Sequence, residues 1–216
     1  MQDRSSAHEV GSLAPRERVR DAPSTRSSAD TLHSMSTYVA LLRGINVGGK
    51  NLIRMADLKT CFEDAGYHDV VTFIQSGNVV FSSPTVAAAT LTERIERMLA
   101  SSFSYRASVV LRNRSQMRSI VGKAPAGFGA DRGSFRSDVI FLMPPLTAKA
   151  AMKDVRTRDG VDRAWTGPGV LYFERLASRA SQSRMSAIVS LPIYQRLTIR
   201  NWNTTTRLLE LMEHVQ

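Results

Sequence analysis

The chain predicts an α+β fold: two ferredoxin-like βαββαβ subdomains in tandem, with antiparallel sheets and an irregular second copy. Three observations lead there. Residues 38–112 alternate strand-like and helix-like runs in the order βαββαβ, the split unit of ferredoxin-like sheets. A looser version of that order returns after residue 113. The length of 216 residues and the 43% hydrophobic content suit a globular protein holding one large core or two small ones.

In the first copy, Tyr38–Arg43 is a short apolar run and reads as strand one. In Met55–Ala65 the residues Met55, Leu58, Phe62 and Ala65 recur at helical spacing, and Gly66 is a good stop. "VVTFIQSGNVVFSS" places two β-rich runs around Ser76-Gly77-Asn78, a turn of residues that tolerate positive φ, and so predicts a hairpin. Leu91, Ile95, Met98 and Leu99 mark a second helix, and Tyr105–Arg112 a fourth strand. In such a unit strand one lies next to strand three.

The second copy is less regular. Ser115–Val121 predicts a helix, Asp138–Met143 a strand ended by Pro144-Pro145, and Thr147–Val155 a helix. Val161–Trp165 and Val170–Glu174 flank the turn Gly167-Pro168-Gly169. Gln182–Val189 reads as helical, Leu197–Arg200 as a short strand, and Thr204–Met212 as a closing helix with Leu208, Leu209 and Met212 on one face. Asn203 or Thr204 is the expected N-cap. No repeat links the halves at the level of sequence, so duplication rests on element order alone.

The expected division is a disordered extension over 1–34, a ferredoxin-like subdomain over 35–113 and a second α+β subdomain over 114–216. Residues 1–34 are rich in Ser, Arg, Ala and Asp, with little apolar area to offset chain entropy. They lack the apolar h-region of a secretory signal, and Met35 is a second candidate start. A chain beginning at Met35 is expected to melt at the same temperature.

Net charge is +10, which favours acidic partners: nucleic acid, phosphorylated metabolites or anionic membranes. An Arg-rich proteome would give the same balance. The tail carries as many acids as arginines, so the excess lies in the folded part. From Arg175 to Arg207 there are six arginines and no acid. No apolar run reaches the roughly 20 residues of a membrane span. The single cysteine, Cys61, excludes an internal disulfide and fits a reducing cytoplasm; it reads as a small buried hydrophobe.

Strand one breaks into "GINVGGKN" at Gly44–Asn51. The sheet topology brings this loop beside Gln75-Ser76-Gly77-Asn78 on one edge. Arg43, Asn46, Lys50, Asn51, Gln75, Ser76 and Asn78 are therefore candidate ligand-binding residues: glycines let backbone amides approach a ligand, and the following helix offers its N-terminus to an anion. The loop is neither a Walker loop nor a dinucleotide fingerprint. The competing reading is that Gly and Asn simply make tight turns. A third stretch, "TIRNWNTTT", adds Arg200, Asn201, Trp202 and Asn203, with Arg200 suited to a carboxylate or phosphate and Trp202 to stacking on a ring. A core Trp with capping neighbours is the alternative. If the loop residues are surface ligands, Ala at Asn46, Lys50 or Asn78 costs little stability.

No serine–histidine pair or two-histidine metal spacing is present, and carboxylates are sparse in these stretches. No metal, cofactor or catalytic residue is assigned. Three functions stay open: a module for a nucleotide or nucleic acid, an enzyme acting on a small phosphorylated or carboxylated metabolite, and a structural or protein-interaction role. Oligomeric state is not specified.

"YVALLRGINVGGKNLIRMADLKTCFEDAGYHDVVTFIQSGNVVFSS" and "YQRLTIRNWNTTTRLLELM" closely resemble an uncharacterised bacterial domain-of-unknown-function family, DUF1697. The resemblance runs over about residues 36–214. It implies tandem ferredoxin-like subdomains and carries no activity, substrate or catalytic residue.

Overall fold

A computed structural model describes residues 34–46, 51–103 and 107–215. Expectations that fall on the tail, on Lys50 and on residues 104–106 lie outside them. The first sheet holds β1 (Met35–Arg43), β2 (His68–Phe73), β3 (Asn78–Pro84) and β4 (Ser108–Asn113) in the order β2-β3-β1-β4, every pair antiparallel. Strand one thus neighbours strand three, as the split unit requires. The second sheet repeats this with β5 (Phe135–Leu142), β6 (Asp162–Gly167), β7 (Val170–Leu176) and β8 (Leu197–Asn201) in the order β6-β7-β5-β8.

Helices α1 (Met55–Asp64) and α2 (Ala88–Phe103) cover one face of the first sheet: Leu58, Phe62, Leu91, Ile95 and Leu99 pack on Tyr38, Ala40, Leu42 and Phe81. Cys61 is half-buried at the margin of this core. The alternate residues Val39, Leu41, Val80 and Val110 face a shared middle layer. There they meet α3 (Arg114–Gly122), α5 (Trp202–His214) and the inner face of the second sheet, Val139, Phe141, Val170 and Tyr172. Burial on both faces explains why β1 reads as a continuous apolar run rather than an alternating one. The outer face of the second sheet packs on α4 (Ala148–Asp154) and on Ile188.

The two halves repeat one plan, βαββαβ followed by an inner helix. Leu42 N–H bonds Gly77 O at 2.8 Å, and Leu142 N–H bonds Gly169 O at 3.1 Å. β1 pairs Leu41 with Asn78 and Val110, and β5 pairs Phe141 with Val170 and Thr198. Arg112 lies opposite Val39 and Arg200 opposite Val139. Each arginine is followed by an asparagine that caps the inner helix: Asn113 accepts from Gln116 N–H at 2.8 Å and Asn201 from Thr204 N–H at 2.7 Å. The cap of α5 is therefore Asn201, not Asn203 or Thr204; the helix starts two residues earlier than its apolar stripe suggests.

The halves differ where α2 would recur. The expected helix over 182–189 is instead part of three successive 3-10 turns across Ala177–Arg196. Met185, Ile188 and Leu191 are spaced by three, which aligns one face of a three-residue turn, and all three pack on the outer core. Pro192 then prevents a longer α-helix.

Candidate functional site

The loop after β1 is built by its asparagines. Asn46 and Asn51 both sit at positive φ, a region Asn tolerates. Asn46 N–H bonds Asn51 O at 3.1 Å and closes the loop neck. The Asn46 side chain donates to Ile53 O and to Gln75 O, each at 2.9 Å, and accepts from Ile53 N–H at 2.8 Å. One amide thus ties the first loop to the hairpin turn, as the topology predicts. Asn51 Nδ2 donates to Gly44 O at 3.0 Å. Ile74 holds a positive φ at the exposed turn, a costly conformation for a β-branched residue. Gly77 is required, because a Cβ there would collide with Ile45.

Asn78 and Arg200, expected as ligand contacts, are buried. Asn78 Nδ2 donates to Phe73 O at 2.8 Å and Ser76 Oγ at 3.1 Å. Its Oδ1 accepts from Arg200 Nε at 2.5 Å. Arg200 Nη1 donates to Thr198 Oγ1 and Ile199 O, and Nη2 to Leu42 O, Ser76 O and Gly77 O. All five guanidinium N–H groups are used. No carboxylate pairs with Arg200 among the described residues, and burial alone pushes its pKa down to about 10.

These loops border a cleft of about 390 Å³. Its wall includes Arg43, Asn46, Gln75, Ser76, Tyr194 and Arg200, with no acid. The Arg43 guanidinium lies 4.6 Å from the centre of the Tyr194 ring, a cation–π distance. Gln75 and Ser76 are exposed. Five of the expected residues are thereby brought together; Asn51 and Asn78 support the same loops from outside the wall.

Asn201, Trp202 and Asn203 belong elsewhere. They line a cleft of about 480 Å³ with Arg132, Arg136 and Arg175. Trp202 is half-buried, edge-on to Phe128 with centroids 5.2 Å apart, and a Cβ on Gly129 would collide with its indole ring. Arg175 bonds Asp138 at 2.5 Å; burial pushes the Asp138 carboxyl up while Arg175 pulls it down. Arg132 and Arg136 form no salt bridge among the described residues. Ser137 Oγ donates to the buried Glu174 at 2.7 Å, and Glu174 is held by Arg163 at 2.6 Å.

Sequence reasoning missed Arg112, the counterpart of Arg200. Its Nη2 crosses to Leu142 O at 2.7 Å and Gly169 O at 3.0 Å in the second half. The available signal was the repeated Arg-Asn pair, 112–113 and 200–201.

A family model described as a protein of unknown function, DUF1697, matches residues 35–172. The chain belongs to that family. No curated protein matches it. A solved structure of a conserved bacterial protein, SP0830 from Streptococcus pneumoniae, is similar at 26% identity and a TM-score of 0.72. The match covers 83% of this chain and 99% of that one.

Proposed function

We propose that the protein binds an anionic ligand, a nucleotide or a nucleic-acid strand, at the Gly/Asn loop edge between β1 and the β2–β3 turn. The observation that carries this reading is the cleft wall, which holds Arg43 and Arg200 and no carboxylate. Arg200 keeps an unneutralised charge beneath the loops, and carbonyl dipoles offset its burial without cancelling its field. Arg200 has no N–H left for a ligand. Contact therefore falls to Arg43, Gln75 and Ser76, with Tyr194 as a ring surface and Asn46 and Asn78 holding the loops. The +10 charge concentrates anions near the surface. No helix among the described residues is long and apolar enough to cross a membrane, and the single Cys61 supports a cytoplasmic location.

Calorimetric titration with ADP and with a short single-stranded oligonucleotide tests the reading. Arg43→Ala is expected to weaken binding about tenfold or more, the loss of one charge-assisted contact. Arg132→Ala with Arg136→Ala is expected to leave it unchanged. The reverse pattern would move the site to the Trp202 cleft. A steep loss of affinity with salt identifies the strand rather than the nucleotide.

A further inference from the structure

The two buried arginines start from equivalent positions and end with unequal sets of partners. Arg200 satisfies Nε with Asn78 and its second Nη1 hydrogen with Thr198. In the other half the residue equivalent to Asn78 is Val170, since Leu41 pairs with Asn78 as Phe141 pairs with Val170. The residue equivalent to Thr198 is Val110, since Phe141 pairs with Thr198 as Leu41 pairs with Val110. Valine offers no acceptor. Arg112 accordingly bonds only Leu111 O through Nη1, and Leu142 O and Gly169 O through Nη2. Its Nε–H and one Nη1–H have no acceptor among the described residues.

Arg112 is 7% exposed and has no carboxylate partner among the described residues. It lines a cleft of about 700 Å³ between the N-terminal part of α3 and the segment joining β5 to α4. Leu142, Pro144, Leu146 and Pro168 give this cleft an apolar wall, Ser115 and Ser119 add hydroxyls, and no acid contributes. A buried cation with unused donors on an apolar wall matches a ligand with one negative charge and an apolar body. The two unused N–H groups of Arg112 match a single carboxylate in charge and in number of donors.

We propose that the Arg112 cleft is a binding site for a small apolar monocarboxylate, its carboxylate taken by the unused N–H donors of Arg112. The site is distinct from the loop edge and does not depend on it: the loop-edge ligand is tested through Arg43, this one through Arg112 and its cleft.

The test titrates the full chain with phenylacetate and isovalerate, and with the neutral phenylacetamide, by calorimetry and NMR. Saturable binding of at least one acid, about tenfold or more tighter than the amide, is expected. Val170→Asn gives Arg112 the acceptor that Asn78 gives Arg200 and should weaken the acid about tenfold or more. Ala148→Trp fills the cleft without touching the arginine and should abolish binding; it decides the matter if Val170→Asn does not fold. The proposal is overturned if neither acid saturates by about 10 mM, if acid and amide bind alike, or if a folded Ala148→Trp variant binds as the parent does.

Discussion

Arg200 and Arg112 hold the same station in two copies of one architectural unit, yet one is saturated and the other is not. Both reach out of their own half to the carbonyls where the other half's first strand meets its hairpin turn. The difference comes from two neighbours each: Asn78 and Thr198 around Arg200, Val170 and Val110 around Arg112. A buried charge is therefore a structural fixture or an available site according to its partners, not its depth. Around Arg200 the neighbouring polar residues have been drawn into fixing loops. Around Arg112 the wall stays apolar.

Breaking the arginines is the strongest way to test that contrast. Arg200→Met should destabilise by about 3–5 kcal/mol, because several buried carbonyls lose their donor. Arg112→Met, with fewer bonds to lose, should cost about 1–3 kcal/mol. Urea denaturation of both variants reads the difference, and equal costs would mean that Asn78 and Thr198 add nothing. Asn78→Val, which copies the second half into the first, should cost about 2–3 kcal/mol by stranding Arg200 Nε in the interior. A thermal scan should show a drop of about 2–4 °C per kcal/mol for a chain of this size. Asn46→Ala should cost about 1–2 kcal/mol, since it removes three hydrogen bonds and puts Ala at positive φ. Asn51→Gly keeps the backbone geometry and should stay within about 0.5 kcal/mol. The smallest paired effect is at the caps. Asn113→Ala and Asn201→Ala should each cost about 1 kcal/mol. Gln116→Ala should add a few tenths in α3, because of these two described helices α3 alone has the reciprocal bond that Asn113 N–H donates to Gln116 Oε1.

Much of the fold was legible because it follows from local periodicity. The stripe of Leu58 and Phe62, the "IQSGN" turn and the Gly167-Pro168-Gly169 turn place their elements within a few residues. Convergence of the first two loops was legible too, since it follows from strand order. The fate of the polar side chains was not. A turn-forming Asn and a ligand-binding Asn look alike in sequence, and only the partner atoms of Asn46 and Asn78 separate the two roles. Given those partners, Ala at Asn46 or Asn78 is expected to cost stability rather than to be cheap. Arginine is ordinarily a surface residue, so nothing local marks Arg200 as interior. The 3-10 run was missed because a spacing of three resembles the edge of a helical stripe over so few turns.

The reach of Arg200 also governs how the chain must acquire its structure as it is made. All four strands of the first sheet exist once Asn113 has been synthesised, yet the carbonyls of Leu42, Ser76 and Gly77 wait for a side chain more than 120 positions downstream. The apolar inner face of that sheet meets Met117 and Ile120 of α3 first and is completed only by Leu208 and Met212. At about 5–20 residues per second, the interval from Asn113 to Met212 is on the order of 5–20 s. Through that time the growing polypeptide carries a finished sheet whose inner face α3 covers only in part, and the last helix completes the cover.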